Sequence, residues 1–279
     1  MQPSPPLDIQ AIQSTLATKS LGRRIELHAQ LGSTNREAVT LAQAGVEHGT
    51  IVLADTQTEG RGRLSRSWFS PPGVNIYCSI ILRKTIGRER LAEWLSWLPL
   101  VTSLAVAEAI EAVTFANVAV KWPNDLVIAE RKVGGILCET GTSRQSEPFQ
   151  VVGIGLNVNG ALTDFPPDIR DMATTLAHET GRSIDRNRLL AQLLGELETC
   201  VEELAAHGSE RIALAYQRHC STVGKIVKAM LTEGKEFVGL AESIGRDGSL
   251  TVVQRPIPNE GQSPKTVHLR VADIIHLRT

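Results

Sequence analysis

The sequence predicts an α+β fold in which helices surround a β-rich centre and a small β-barrel follows at the C-terminus. Short apolar strands are closely spaced in the middle of the chain, and segments with helical periodicity lie on either side of them. The last stretch, of about fifty to sixty residues, alternates short strands with turns. We therefore predict two domains, residues 1–222 and 223–279.

The N-terminal elements are predicted to be a short helix over residues 7–20 and an alternating strand over residues 24–30. Residues 33–35, Ser-Thr-Asn, offer an N-cap for the next helix, and Gly45 is suited to end it. Residues 50–57 then form a nearly continuous apolar strand.

A second buried strand is predicted at residues 74–82, and helical periodicity extends from residue 88 to residue 114. Pro99 is expected to divide this segment into two helices, because proline lacks the N–H group that continues a helix. Four closely spaced strands follow, at residues 118–122, 125–130, 132–140 and 149–159.

The C-terminal third begins with helical periodicity over residues 185–218, broken near Gly208 and Ser209. Its short strands are predicted at residues 224–230, 235–244, 249–253 and 266–277.

Composition bounds the class of protein. Hydrophobic residues make up 42% of the chain and charged residues 21%, and the net charge is -1, which argues against a general nucleic-acid binder. No apolar run is expected to reach the roughly 18 to 20 residues that span a bilayer, and the N-terminus lacks signal-peptide features. We expect a cytoplasmic protein with no membrane partner. The scattered cysteines are expected to be reduced structural thiols: Cys78, Cys138, Cys200 and Cys220.

The segment QTEGRGRLSRSW, residues 57–68, predicts a mobile loop that closes on an anion. Glycine gives the backbone freedom, and arginine carries a permanent, forked cation. The spacing is not that of a standard P-loop. A solvated, charged hairpin loop remains an alternative, and an RNA-binding Gly/Arg segment is disfavoured because there is one short copy without interleaved aromatic residues.

Two further segments place charged groups beside turns or glycines. In KWPNDL, Lys121 supplies a cation, Asn124 an amide and Asp125 a carboxylate suited to a metal, ribose or amine, although the same residues also make a good turn. In RKVGGILCE, Lys132 precedes a glycine pair ending at Gly135. This lysine is either a ligand-binding group or an exposed residue beside a β-bulge.

Small residues supply two more candidate ligand contacts. Gly153 and Gly155, in GIGLNVN, lie on one face of a strand and either admit a flat ligand or mark close strand packing. Residues 33–35 either cap a helix or, together with Gln57, bind a neutral polar head group.

Taken in order, these five motifs closely resemble those of the biotin protein ligases. The resemblance is dense from Ser33 to Asn159 and looser in the C-terminal barrel, and KWPNDL followed by GGILCE is its most specific part. It implies a class II synthetase-like biotin/lipoate ligase fold: a catalytic domain with a mixed β-sheet flanked by helices, and an SH3-like C-terminal domain. The residues before the first strand leave no room for a winged helix, so the resemblance is to the monofunctional type, with no DNA partner expected.

The resemblance also implies a reaction in two steps. Biotin and ATP, with Mg²⁺, give biotinyl-5'-AMP and pyrophosphate; a lysine of a biotin carboxyl carrier domain of acetyl-CoA carboxylase then attacks the acyl-adenylate. The substrate carboxylate attacks ATP directly, so the protein contributes positioning and electrostatics. A homodimer is expected from the resemblance alone.

Residue roles follow from matching this sequence to the family motifs. Catalytic roles fall on Arg61, Arg63, Asp125 and Lys132. Biotin would contact Ser33, Thr34, Asn35, Gln57, Arg61, Gly62, Arg63, Lys132, Gly135, Gly153, Gly155 and Leu156. ATP or the adenylate would contact Arg63, Arg66, Trp68, Lys121, Asn124, Asp125 and Asn157. Asp125 is the candidate Mg²⁺ ligand, and we expect Trp68 and Trp122 to pack rather than stack on adenine.

The predicted loop within residues 57–68, which we call the arginine loop, departs from the family at two positions. Members commonly have GRGRRGR where this chain has GRGRLSR, so Leu64 and Ser65 replace an arginine and a glycine. We expect this loop to release the adenylate faster than one in which both residues are restored.

Two other functions remain open. A lipoate protein ligase would share the fold and chemistry, but its dithiolane lacks the hydrogen-bonding urea that residues 33–35 and Gln57 suit. A nucleic-acid binder or small-molecule sensor would use the basic residues of the barrel, which are interleaved with acidic ones: Lys225, Lys228, Arg246 and Arg255 with Glu233, Glu236, Glu242 and Asp247.

Overall fold

A computed structural model describes residues 5–230, 236–254, 265–270 and 272–277. Its central feature is a seven-stranded sheet with the strand order β1-β2-β3-β7-β6-β5-β4. The strands are β1 (Ile25–Leu31), β2 (Ile51–Gln57), β3 (Ile76–Leu82), β4 (Ala119–Lys121), β5 (Asp125–Ile128), β6 (Arg131–Thr142) and β7 (Pro148–Leu156). The β1–β2 pair is parallel, whereas the other pairs are antiparallel. The predicted α+β class with a mixed sheet is confirmed.

Helices cover the sheet and supply much of its core. They are α1 (Ile9–Ser14), α2 (Thr34–Gln43), α3 (Arg88–Thr114), α4 (Pro167–Arg170), α5 (Leu176–Thr180), α6 (Arg186–His207) and α7 (Glu210–His219). Helices α3 and α6 pack together, and the apolar face of α3 contributes fully buried tryptophans. This packing places the large core on one side of the sheet, while α2 packs on a smaller cluster that includes Ala38, Val52 and Phe149.

Helix α3 differs from the prediction at Pro99, which lies inside one continuous helix. The proline removes one backbone hydrogen bond, which typically costs about 3 kcal/mol in a helix interior. Buried residues on both sides of it, such as Trp97 and Val101, pack into the same core and keep the two halves in line.

Helix α3 is the element that bears on the expectation that no apolar run is long enough to cross a bilayer. By length and composition this helix could span a membrane, yet 72% of its most apolar 18-residue window is buried inside the fold. Its apolar character is therefore that of a core helix.

Helix α1 is shorter than the predicted segment 7–20. It ends at Ser14, and it cannot extend to residue 20, because the backbone N–H groups of Lys19, Ser20 and Leu21 donate to the Glu198 carboxylate on α6 instead of to helical carbonyls. A long-range ion-dipole contact thus replaces local helix formation.

The C-terminal strands form a second, antiparallel sheet with the order β11-β10-β9-β8-β12. They are β8 (Ile226–Met230), β9 (Glu236–Ile244), β10 (Leu250–Val253), β11 (Thr266–Leu269) and β12 (Asp273–His276). The predicted strand 266–277 is thus two strands, which pair with different neighbours. Residue 222 lies between α7 and β8. The domain boundary at this point stays a prediction, and so does the SH3-like character of this sheet.

Two of the basic residues considered for a nucleic-acid surface, Lys225 and Lys228, are paired with carboxylates. Lys225 lies 2.5 Å from Glu130, and Lys228 lies 2.7 Å from Glu236, so their charges are already paired. Two residues of the proposed cluster, Glu233 and Arg255, lie outside the described residues.

The four cysteines are free thiols, as expected. Burial raises the pKa of Cys78 and of Cys138 to about 12, so neither is a reactive thiolate at neutral pH.

Candidate active site

The predicted site residues meet at one edge of the large sheet, in a cavity of about 120 Å³ that we call the glycine-lined cavity. It is lined by Ser33, Thr34, Asn35, Gln57, Arg61, Gly62, Arg63, Arg66, Ser67, Trp68, Asn124, Asp125, Lys132, Gly135, Ile136, Leu137, Gly153, Ile154 and Gly155. These residues come from the start of α2, the loop after β2, the β4–β5 turn and the adjacent strands β6 and β7. The fold thus brings together motifs that are far apart in sequence.

Ser33 lines this cavity, and its hydroxyl does not cap α2. Ser33 occupies the N-cap position with extended backbone, φ -156° and ψ 132°, yet its side chain makes no cap hydrogen bond. No other hydrogen-bond partner for this hydroxyl is found in the described part of the chain. The position favours a ligand contact over the simple N-cap interpretation.

Gln57 offers one further donor. Its Oε1 accepts from the Thr34 N–H at 2.8 Å and lies 3.2 Å from the Thr34 hydroxyl, while Nε2 donates to Ser70 Oγ at 3.0 Å. One of the two Nε2 protons therefore has no partner among the described residues. Ser33 and Gln57 supply the hydrogen-bonding capacity that remains for a polar head group.

Asn35, in contrast, is fully engaged within the protein. Its Nδ2 donates to Leu137 O at 3.1 Å and to Glu139 Oε2 at 2.9 Å, and the Ser79 hydroxyl lies 2.6 Å from Oδ1. Both amide protons are therefore used. A β-carbon at Gly153 would lie only 1.9 Å from Asn35 Oδ1, so the space left by this glycine is filled by Asn35 and not by a ligand.

Gly155 makes room for Trp68. A β-carbon at Gly155 would lie 2.6 Å from Trp68 Cε2, and one at Gly135 would lie 3.3 Å from Trp68 Cζ3. The gap predicted for a flat ligand thus holds an indole, whose buried Nε1 has no partner among the described residues.

The predicted packing role of Trp122 fits the structure, since it is buried and its Nε1 donates to Gly248 O at 3.1 Å.

Leu156 is a correction to the predicted biotin contacts. Side chains alternate along a strand, so Leu156 points away from the face shared by Gly153 and Gly155. It is fully buried in the hydrophobic core and lines neither this cavity nor the one described below.

The arginine loop is a compact hairpin-like turn whose cations face the cavity. Gly62 N–H donates to Arg66 O at 2.7 Å, and Trp68 N–H donates to Gly60 O at 2.8 Å. The alternative of a charged hairpin loop is therefore correct for its shape, yet Arg61 and Arg63 line the cavity as well. Its mobility stays a prediction.

Lys132 and Asp125 form an ion pair at the mouth of the site, with Nζ 2.6 Å from Oδ1. Asp125 ends the turn of the β4–β5 hairpin, and Lys132 lies where the β5–β6 register shifts. The structural alternatives of a turn and a β-bulge are thus both present. The ion pair shows that these local features also bring two reactive charges together.

A second cavity, of about 470 Å³, adjoins the first, and we call it the aromatic cavity. It is lined by Arg66, Ser67, Trp68, Phe69, Lys121, Asp125, Val127, Glu130, Lys132, Asn157, Phe165, Ile169, Met172 and Ala173. The rings of Phe69 and Phe165 lie 5.9 Å apart. Burial lowers the pKa of Lys121, against the opposing effect of Asp125.

The residues predicted to contact the nucleotide divide between the two cavities. Arg66, Trp68, Lys121, Asp125 and Asn157 line the aromatic cavity, whereas Arg63 and Asn124 line only the glycine-lined one. The junction of the cavities is formed by the residues that line both: Arg66, Ser67, Trp68, Asp125 and Lys132.

Sequence reasoning missed the residues that support the site or form its apolar walls. Glu139, Ser70 and Ser79 hold predicted site residues, and Phe165, Ile169 and Met172 wall the aromatic cavity. Glu139 ends the GGILCE motif and could have been found there. Residues 165–172 carried no recognisable signal.

The described residues contain no group of three His, Cys, Asp or Glu that could hold a metal ion. Asp125 is the one carboxylate at the junction of the cavities. A single carboxylate suits Mg²⁺ that arrives with substrate phosphates and keeps several waters, so the residues fit that mode and not an all-protein cage.

Comparisons with known proteins agree on one family. A sequence profile described as "Biotin/lipoate A/B protein ligase family" matches residues 27–159. A biotin–[acetyl-CoA-carboxylase] ligase of Mycobacterium tuberculosis is 32% identical over 98% of this chain and 97% of its own length. A bifunctional ligase/repressor of Bacillus subtilis is 34% identical over 86% of this chain and 72% of its own. The solved structure of Aquifex aeolicus biotin protein ligase with biotin and ATP superposes with a TM-score of 0.76 at 28% identity, covering 91% of this chain and all of that one.

Proposed function

Because this chain belongs to the biotin/lipoate ligase family and is a biotin protein ligase within it, we propose that it activates biotin as biotinyl-5'-AMP and transfers it to a carrier lysine. The observation that carries this proposal is the junction of two cavities at the Lys132–Asp125 ion pair. One cavity offers neutral hydrogen-bonding groups, the other aromatic walls, and cations lie where an acid and a phosphate would meet.

The glycine-lined cavity suits biotin's ureido ring. This ring is neutral, with one carbonyl acceptor and two N–H donors. The free Gln57 N–H can donate to the carbonyl, and the Ser33 hydroxyl can accept from a ring N–H. Asn35 and Thr34 then act mainly by holding the pocket's shape.

The aromatic cavity suits the adenosine part of ATP. Phe69 and Phe165 offer apolar surface, and Lys121 adds a cation to the lining. Burial holds the pKa of Lys121 below its usual value, but Asp125 nearby opposes the loss of its charge.

In the first step an oxygen of the biotin carboxylate attacks the α-phosphorus of ATP. The bond from that phosphorus to the bridging oxygen breaks, and pyrophosphate leaves with the electron pair. Lys132, Arg61 and Arg63 stabilise the negative charge on the phosphoryl oxygens, and Trp68 limits water access. Bound Mg²⁺ would neutralise phosphate charge, with Asp125 as its protein ligand.

In the second step a lysine amine of the carrier attacks the acyl carbon, and AMP leaves. The amine has a pKa of about 10.4 in water and must lose a proton. We propose that Asp125 accepts a hydrogen bond from it or takes its proton once Lys132 has left its ion pair with Asp125 for the phosphate, a role that the closeness of these two groups supports.

We infer that the acceptor is a biotin carboxyl carrier domain of acetyl-CoA carboxylase. The name of the Mycobacterium tuberculosis relative supports this acceptor. Cytoplasmic location, a homodimer and the absence of DNA binding remain expectations.

An ATP–pyrophosphate exchange assay tests the first step. We expect exchange with biotin and none with lipoate, because lipoate has no urea to use Ser33 and Gln57. Exchange that depends on lipoate alone would support the alternative ligase.

Transfer of labelled biotin to a carrier domain tests the residue roles. Lys132→Ala and Arg63→Ala should each lower the rate by about a hundredfold or more, as for the loss of a preorganised donor to a transition-state oxyanion. Lys84→Ala, at the surface ion pair with Glu202, is the control and should leave the rate unchanged. Unchanged rates in both site variants would remove these assignments.

A further inference from the structure

Glu139 lies behind the glycine-lined cavity and contacts residues from two sides of it. Its Oε2 accepts from Asn35 Nδ2 at 2.9 Å, and the Arg61 guanidinium forks onto the same carboxylate, with distances of 3.0 Å to Oε1 and 3.2 Å to Oε2. Glu139 itself lines neither cavity. Its hydrogen bonds therefore reach the cavity through Asn35 and Arg61.

These contacts connect the head-group pocket with the arginine loop. Asn35 is buried, is held by hydrogen bonds with Leu137 and Ser79, and packs closely against Gly153. Arg61, in contrast, is 40% exposed, and among the described residues its side chain forms hydrogen bonds only with Glu139, although Arg63 anchors the same loop to Asn124 at 2.7 Å. Glu139 thus ties an exposed cation to a rigid part of the fold.

We propose that Glu139 is a positioning residue that holds Arg61 at the wall of the biotin pocket. Without it, the guanidinium would sample solvent, and binding would have to order a long side chain. This inference rests on the proposed function, since it concerns the same pocket.

A direct electrostatic role would have the opposite sign. A carboxylate near an anionic ligand repels it, so neutralising Glu139 would then strengthen binding of biotin and its adenylate. The positioning role predicts weaker binding. The sign of the change therefore separates the two roles.

The test is a double-mutant cycle on the full chain, with the biotin dissociation constant measured by titration calorimetry. Glu139→Gln keeps an acceptor for Asn35 but loses the charged fork to Arg61. We expect it to weaken biotin binding about fivefold, the scale of a partly exposed ion pair. In an Arg61→Ala background it should change the constant less than twofold, because the group that it positions is gone.

The steady-state constants provide an independent readout. Glu139→Gln should raise the KM for biotin and leave the KM for ATP within twofold, whereas a purely structural role would lower stability without this split. Glu139→Asp keeps the charge but withdraws it by one methylene, and should bind biotin with an affinity between those of the wild type and Glu139→Gln. If Glu139→Gln fails to fold, Glu139→Asp replaces it in the binding test.

Glu59→Gln is the matched control. Glu59 pairs with Arg36 at 2.7 Å, both side chains are more than half exposed, and the pair lies outside both cavities. Its biotin affinity should stay within twofold of the wild type.

Unchanged or tighter biotin binding in Glu139→Gln, or an equal loss in the Arg61→Ala background, would overturn the proposal. A wild-type chain without biotin-dependent exchange would instead overturn the proposed function, so the two failures are distinguishable.

Discussion

At the residue scale, two glycines shape the ligand site because they let other side chains pack closely against their strand. Gly153 and Gly155 were predicted from sequence as a gap on one strand face, and that gap exists. Its occupants, Asn35 and Trp68, could not be predicted, because they come from segments 118 and 87 residues away that only the tertiary fold brings into contact. Likewise the local pattern marks Ser33 as a helix cap, but only the structure shows that its hydroxyl makes no cap hydrogen bond and that the residue lines the cavity.

Gly155→Ala should weaken biotin binding by about tenfold or more. The added carbon would meet Trp68 at 2.6 Å and push the indole into the space between the cavities, and such overpacking typically costs about 1–3 kcal/mol. Calorimetric titration with biotin measures the effect.

The control for this substitution is Gly195→Ala on α6, where an added carbon meets nothing within 4 Å. It should stabilise the protein by about 0.5–1 kcal/mol and leave biotin binding unchanged. Equal affinities of the wild type and Gly155→Ala would show that the close contact with Trp68 does not shape the site.

At the scale of elements, the arginine loop has a left-handed backbone conformation at two residues that are not glycine. Leu64 and Ser65 have φ values of 53° and 60°, in the left-handed region that glycine adopts most easily. The second is where the family commonly has glycine, so this chain keeps a conformation that its side chain disfavours. The motif could be recognised from sequence, but its backbone conformation could not.

Restoring the family residues with Leu64→Arg and Ser65→Gly should slow adenylate release several-fold. Glycine removes about 1–2 kcal/mol of left-handed strain, and the arginine adds a cation beside the phosphodiester. Release is measured by chasing labelled adenylate from the preformed complex.

Ser65→Gly alone separates the backbone effect from the charge effect in this chase. If the wild type releases adenylate no faster than the doubly restored variant, the loop is not the cause of a faster release.

The contact between α6 and residues 19–21 makes stability depend on acid pH. Burial acts to raise the pKa of Glu198, but the hydrogen bonds from the backbone N–H groups of Lys19, Leu21 and Ser20 outweigh it and lower the pKa to about 2. The folded-state pKa thus lies below the unfolded value of about 4.3. The stabilisation is complete above that value and is lost as the pH falls from about 4 to about 2.

Glu198→Gln should therefore be less stable than the wild type at pH 7, and the difference should shrink between pH 4 and pH 2. Urea denaturation at several pH values measures it. Glu202→Gln, one turn along α6 in an exposed pair with Lys84, is the control. A stability difference that is constant with pH would contradict the assigned pKa.

At the scale of the whole molecule, hydrogen bonds and apolar packing connect the two sheets. Trp97 Nε1 donates to Arg246 O at 2.8 Å, Trp122 Nε1 donates to Gly248 O at 3.1 Å, and one apolar cluster includes residues of both sheets. The sequence predicts the change in strand and turn pattern near residue 222, because it is local. It could not predict that the turn before β10 would satisfy two tryptophans of the larger part.

We expect the full chain to unfold in one cooperative transition. Separating the sheets would expose both tryptophans and leave their N–H groups without these partners, so partial unfolding is costly. Differential scanning calorimetry checks this through the ratio of calorimetric to van't Hoff enthalpy. Two resolved transitions would instead indicate independently folding domains.

The position of Trp68 between the two cavities makes its intrinsic fluorescence sensitive to a bound ligand. Of the protein's four tryptophans, Trp94, Trp97 and Trp122 are at most 2% exposed in the core, and Trp68 lines both cavities. Three indoles are therefore shielded from a ligand in the site, whereas Trp68 changes its surroundings when one arrives. We expect Trp68 to dominate any ligand-induced shift in intrinsic fluorescence, so that ligand binding can be followed in time without a label.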